Sequence, residues 1–176
     1  MPTLVEPTTA VHQSFLSAWD EIEDERWMGA EAVDETWSRA QAEDPAEFAR
    51  LVAAIKTEAD ETTELPSGLV HQTVLWYVEG DEWLGRLSVR HELTPPLLEL
   101  GGHIGYVVRP SARRQGHATR MLAESLPVAA GLGIDPALLT CDTGHDASRR
   151  VIEAAGGELE DERHGKLRFW VPTRVS

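Results

Sequence analysis

The sequence predicts an α/β fold of the α+β kind, in which a mixed, mostly antiparallel sheet is flanked by helices. Three observations predict it. Apolar residues recur at helical spacing in four stretches. Short β-branched and aromatic runs bounded by turn residues supply five further segments with strand character. The two kinds follow one another in the order ααβββαβαβ, without internal repeats or low-complexity linkers. A chain of 176 residues, 41% of them hydrophobic, fits one domain with a real core.

The elements are justified in order. Thr3-Leu4-Val5 reads as a short strand stopped by Pro7. Val11, Phe15, Leu16, Ala18, Trp19 and Ile22 form one face of a helix reaching to about Trp27. A second helix starts at Asp44-Pro45, an N-cap followed by proline in the first turn, and turns Phe48, Leu51, Val52 and Ile55 inward. Residues 64–68, ELPSG, punctuate the chain. Thr73–Val78 and Trp83–Val89 pair as a hairpin about Glu79-Gly80-Asp81, Thr94-Pro95-Pro96 makes a loop, and His103–Val108 is a strand closed by Pro110. Ala118–Gly131 is helical, and Pro127 inside it predicts a kink or a restart. Ala137–Cys141 is an apolar strand. Ala147–Ala155 is a helix stopped by Gly156-Gly157, and Leu167–Val171 is the last strand.

Composition narrows function. The chain carries 30 acidic and 16 basic side chains, a net charge of −14, which argues against nucleic acid as a partner. No apolar run approaches the ~20 residues that span a bilayer, and the N-terminus has no signal-peptide pattern, so neither a membrane nor an export route is expected. The single cysteine, Cys141, excludes an internal disulfide and fits a reducing, cytoplasmic setting. One cysteine and scattered histidines give no metal-ligand spacing. The charge is polarised: residues 1–100 hold 21 acids and 6 bases, whereas residues 101–176 hold 9 and 10. The acidic half is either a solvated shell or a surface with an electrostatic task.

The informative stretch is GGHIGYVVRPSARRQGHATRMLAESL, residues 101–126. A strand ends at Val108, a proline-containing loop follows, and a helix begins after Arg113-Arg114-Gln115-Gly116-His117-Ala118. Helix-initial N–H groups lack partners and carry the positive end of the dipole, Gly116 lets a ligand approach the backbone, and two arginines stand beside it. Such a place binds a pyrophosphate. Arg-Arg-x-Gly alone is equally a solvated connection. Val108-Arg109-Pro110 at its fixed distance from Arg113-x-x-Gly116-x-Ala118, on strand and helix, resembles the acetyl-coenzyme-A motif of the GNAT superfamily of N-acetyltransferases. Residues 138–160 are similar to the next strand and helix of that superfamily, with His145, Ser148, Ile152 and Gly156 at its marked places. The strings GRLSVRHEL and GGHIGY also resemble a bacterial subgroup of predicted acetyltransferases.

The resemblance implies a GNAT-like acyl-CoA N-acyltransferase fold as a single domain over 1–176, with residues 1–68 forming a helical acceptor side and 69–171 the sheet and acetyl-CoA core. It implies direct transfer of an acetyl group from acetyl-CoA to a primary amine. The backbone at Val108 would pair with the pantetheine arm and hold the oxyanion. The loop Arg113, Arg114, Gln115, Gly116, His117 and Ala118 would hold the pyrophosphate, with His145 and Ser148 completing the cofactor site.

Two departures bear on catalysis. Ile152 stands where many members carry the tyrosine that protonates the leaving thiolate, and it cannot donate. His145 replaces the usual asparagine and is a candidate for the missing acid. His103 takes the place of a strand glutamate and is the candidate general base, with a side chain suited to deprotonating an ammonium near neutral pH. Its neighbours Gly101 and Gly102 are expected to leave room for substrate. Tyr106 is expected as core or pocket wall, and Cys141 as a small buried apolar side chain. Residues 20–64 hold 15 acids and 4 bases, with Trp19, Trp27 and Trp37 among or beside them, which suggests a cationic acceptor. A homodimer is left open. Two rival readings stand beside this one: an acyl-CoA-binding protein without turnover, and an acidic protein-interaction module.

Overall fold

A computed structural model describes residues 1–22 and 36–174. The predicted position of Trp27, and of the first helix beyond Ile22, lies outside them. β1 (Thr3–Val5), β2 (Gln72–Glu79), β3 (Glu82–Arg90) and β4 (Ile104–Val108) form one antiparallel sheet in that order. β5 (Ala137–Asp142), β7 (Lys166–Val171) and β6 (Glu158–Arg163) form a second, with β7 in the middle. The helices are α1 (His12–Glu21), α2 (Arg39–Ala42), α3 (Pro45–Thr57), α4 (Pro95–Leu100), α5 (His117–Gly131) and α6 (Asp146–Ala154).

Each face of the first sheet carries its own core. Alternation along β2 and β3 sends Val74, Trp76 and Trp83 to one side, where they meet Phe15 and Leu16 of α1 and Phe48, Leu51, Val52 and Ile55 of α3. The rings there interlock: Phe15 stacks on Trp76 at 4.9 Å and meets Trp83 edge-on at 5.6 Å. Tyr77, Leu84, Leu87, Val89, Ile104 and Val108 face the other way, onto Met121, Leu122 and Ala129 of α5 and onto Leu139, Phe169 and Val171 of the second sheet. A register shift, with Tyr77 opposite Gly85 but Val78 opposite Trp83, leaves Leu84 unpaired as a bulge.

Three expectations need correction. Thr94-Pro95-Pro96 opens a short helix, α4: Thr94 is extended, and prolines in the first turn lack only N–H groups that need no helical partner. Of the two alternatives at Pro127 the restart falls, since one helix runs from His117 to Gly131. The charged string ELEDER, residues 158–163, is an edge strand, and the read order omitted it. Its anchor is Arg168 on β7, 2% exposed, which donates to Asp161 at 2.8 Å, meets Glu160 at 3.0 Å and reaches the Leu98 carbonyl of α4 at 3.0 Å.

Candidate functional site

The two sheets meet at one point and part from there. Gly102 bridges to Leu139, and the His103 N–H donates to the Leu138 carbonyl at 2.7 Å. Among the described residues no strand ladder joins β4 to β5. Gly102 is required at the contact: its φ is +67°, and a Cβ would overlap the Leu138 carbonyl oxygen. The glycine therefore serves the approach of the two sheets, not the substrate room expected of it.

β4 is the outer strand of its sheet. Arg109 N–H bonds to the Leu84 carbonyl at 2.9 Å, which fixes the phase of the ladder. Antiparallel alternation then turns Val107 toward β3 and the backbone N–H groups of Tyr106 and Val108 away from it, toward the parting of the sheets. A cleft of about 440 Å³ lies there, and its wall includes Tyr106, Val108, Arg113, Gly116, His145 and Ser148. Arg114, His117 and Ala118 line it as well. The structure thus gathers every residue expected around the cofactor except Gln115, whose side chain lies outside the wall and whose carbonyl accepts from Arg120 at 2.8 Å.

The mouth of the cleft is a loop of donors. Arg114 at φ 63° and Gly116 at φ 76° are both left-handed, which curls successive N–H groups into one concave turn at the N-terminus of the 15-residue α5. The first N–H groups of the helix have no helical acceptor, and the dipole adds positive charge. Arg113 Nε donates to the Val108 carbonyl at 3.1 Å and ties the loop to the strand end. His117, 7% exposed, packs edge-on to Tyr77 with ring centroids 5.6 Å apart. Burial, and the neighbouring Arg120 charge, lower its pKa and hold it neutral.

Within the cleft one polar contact stands out. The Tyr106 hydroxyl lies 2.7 Å from Ser148 Oγ, joining β4 to α6. Burial lifts the phenol above its usual range, only partly opposed by that hydrogen bond. His145 is exposed at the N-cap of α6 and makes no side-chain cap bond. Ile152 is 1% exposed in the core and offers nothing to the cleft. Cys141 is buried, as expected of it, and burial raises its thiol pKa.

His103 does not line the cleft. It is 8% exposed, and its Nδ1 accepts the Leu138 N–H at 2.9 Å. A neutral ring accepting at Nδ1 carries its proton on Nε2 and has no second basic lone pair. Burial, then the Arg90 charge, lower its pKa. The expected general base thus stands off the cleft wall, as a latch that holds the sheets together where they meet.

The sequence reading missed a second feature. Arg109, 6% exposed, spans from the end of β4 to α1. It pairs with Glu21, donates to Ser14 Oγ at 3.1 Å and to the Trp83 carbonyl at 3.2 Å, and reaches Ser17 Oγ at 3.4 Å. Glu21 accepts in addition from the N–H and Oγ of Ser111 at 3.0 and 2.9 Å. This network pins the loop that leads to Arg113. No local signal marked it, because Glu21 stands in the acidic run DEIEDE of residues 20–25 and Arg109 inside V-x-P. Trp19 packs against the core, and Trp37 donates its indole N–H to Glu47 at 3.2 Å. Among the described residues there is no group of three or more side chains fit to hold a metal, and no helix is long and apolar enough to cross a membrane.

Comparison with known proteins bears on the fold and the family. No curated protein sequence matches the chain. Among solved structures it is similar to RimJ of Mycobacterium smegmatis in complex with a coenzyme A disulfide, at 17% identity and a TM-score of 0.62 over 97% of this chain and 80% of that one. It is similar to the paia N-acetyltransferase of Thermoplasma acidophilum in complex with coenzyme A, at 10% identity and 0.57 over 98% and 99%. The microcin self-immunity acetyltransferase MccE, in complex with acetyl-CoA and AMP, matches at 11% identity and 0.59 over 97% and 92%. At these identities the likeness is one of fold. The family model of the acetyltransferase (GNAT) domain matches residues 6–158, and with that span the chain belongs to the GNAT acetyltransferases.

Proposed function

We propose that the protein transfers an acetyl group from acetyl-CoA to an amine by direct attack. One observation carries the reading: the outward backbone of β4 at Tyr106 and Val108 leads along one cleft to the curled N–H groups at Arg114–Gly116 and the N-terminus of α5. That is a slot for a chain of amide groups ending in a pyrophosphate, which is the shape and chemistry of coenzyme A. The pantetheine amides pair with the strand edge, and the diphosphate takes the loop donors with Arg113 and Arg114 beside it. The thioester is left at the end of β4 remote from the loop. A neutral amine attacks the thioester carbonyl there, and the backbone N–H groups that β4 turns into the cleft stabilise the oxyanion. His145 at the cleft rim holds the cofactor from the α6 side. One support favours a cationic acceptor, the acid excess over residues 20–64. Several of those carboxylates are already engaged, Asp20 and Glu43 by Arg39 and Glu21 by Arg109, so selection rests on the surplus. The test is coenzyme A release from acetyl-CoA across small amines, polyamines and peptides. Amine-dependent thiol with matching amide product is the expected result. Tight acetyl-CoA binding with no product from any amine class would refute transfer.

A further inference from the structure

The leaving sulfur needs a proton, and the place where many relatives carry a tyrosine for it holds Ile152, buried in the core. We propose that Tyr106 is the group that protonates the sulfur of coenzyme A as it leaves, with Ser148 holding its hydroxyl in place. This rests on reading the cleft as the acetyl-CoA site. Three features of the cleft carry it. The Tyr106 side chain lines the same cavity as the donor loop. Along β4 it lies two residues farther from that loop than Val108, about 7 Å at strand rise, toward the end where the thioester is left. The hydroxyl is fixed by Ser148 Oγ at 2.7 Å, across from another element, so its position does not depend on substrate. If Ser148 donates, the phenol O–H is left pointing to the cavity.

The other protic groups near the cleft fit less well. Cys141 is outside the wall and buried, His145 sits exposed at the rim, and His103 is occupied at the meeting point of the sheets. The phenol keeps its proton at neutral pH, since burial holds its pKa above the usual range.

The step balances. The amine nitrogen forms its bond to the acetyl carbon, the C–S bond breaks, and its electron pair goes to sulfur. Sulfur takes the Tyr106 proton, and the phenolate regains one from solvent by way of Ser148. The attacking nitrogen gives one proton to solvent as the amide forms, so the neutral amine yields amide and thiol with no net proton, and an acceptor that arrives as an ammonium releases one proton more beforehand.

The test uses the whole protein and the Tyr106→Phe substitution, which keeps the ring and its packing. Three quantities are measured: acetyl-CoA affinity by calorimetry, the single-turnover rate with an active amine, and the pKa of the thiol of bound coenzyme A, read from thiolate ultraviolet absorbance. The expected result is unchanged acetyl-CoA affinity, a rate lowered roughly 10²-fold, and a bound thiol pKa raised by about one unit as the thiolate loses a donor. A wild-type rate overturns the proposal, as does a lowered rate with an unchanged thiol titration, because Tyr106 would then not touch sulfur. Loss of acetyl-CoA affinity in the variant also overturns it, making Tyr106 a binding residue. Failure of the unsubstituted protein to bind acetyl-CoA strikes the proposed function instead. Should the Phe variant misfold, Ser148→Ala provides the same readings: a smaller fall in rate with a raised thiol pKa supports the proposal, and no change in either refutes it.

Discussion

Replacing Glu21 by alanine should destabilise the protein by about 3 kcal/mol, the low end of the 3–5 kcal/mol for breaking a buried ion pair. The figure follows from what is left behind. Arg109 is 6% exposed, and without the carboxylate its guanidinium keeps, among the described residues, Ser14, Ser17 and the Trp83 carbonyl, all neutral. The Glu21 side chain is 24% exposed, so water enters the gap and moderates the loss. For a chain of this size, 3 kcal/mol corresponds to a fall in Tm of roughly 6–12 °C. Urea unfolding and thermal scans of Glu21→Ala, Arg109→Met and the double variant give the coupling directly, and about 2 kcal/mol or more is expected. The pH dependence has a definite sign. Burial raises the Glu21 pKa, but the hydrogen bonds from Arg109 and Ser111 outweigh it, and the folded pKa lies below the unfolded one. Its stabilisation is therefore complete above the unfolded value, about 4.3, and is lost as pH falls through the lower folded value. Glu21→Ala should lack this part of the acid limb. A variant within 0.5 kcal/mol of the parent, or a cycle without coupling, would show that the network does not hold α1 to the loop.

Three further outcomes are expected. Gly116→Trp should abolish acetyl-CoA binding by calorimetry, because a side chain at φ 76° is strained and bulk at the curled turn blocks the diphosphate; unchanged affinity would misplace the phosphate end of the cleft. His103→Ala should lower stability by about 1–3 kcal/mol, the cost of an unpaired Leu138 N–H, while leaving the acid limb of the pH–rate profile intact; a stable variant that loses that limb would restore His103 as the base. The KM of a cationic acceptor should rise with salt and that of a neutral amine should not, since exposed charges are screened beyond about 8 Å at physiological ionic strength; identical salt responses would remove electrostatic selection.

Elements whose cause lies within a few residues were legible in the sequence. Asp44 caps α3 through the N–H groups of Ala46 and Glu47, Pro45 fills its first position, and Phe48, Leu51, Val52 and Ile55 lie on its buried face, all within one 12-residue window. The hairpin turn at Gly80 is equally local, with φ at +62°. β6 was not legible, because five of its six residues are charged and no period-2 apolar pattern survives. An edge strand needs only backbone pairing on one side, and its carboxylates are held by Arg168, seven or eight residues downstream, and by Arg163. α2 is four residues long, too short for any period, and depends on a Ser38–Gln41 capping box.

The site divides along the same line. The donor loop and the start of α5 arise from consecutive residues, so position in a motif and geometry coincide there. His103 and Tyr106 lie three residues apart on one segment, and sequence alone ranked the histidine first, because imidazole is the better base near neutral pH. What separates them is a partner far along the chain. Leu138, 35 residues from His103, takes its lone pair; Ser148, 42 residues from Tyr106, fixes its hydroxyl inside the cleft. The Glu21–Arg109 pair spans 88 residues and left no trace in either local pattern. Motif matching locates the strand that carries the chemistry. Which of its side chains can act is decided by the packing of β5 and α6 against it, through one backbone N–H that occupies a base and one hydroxyl that orients an acid.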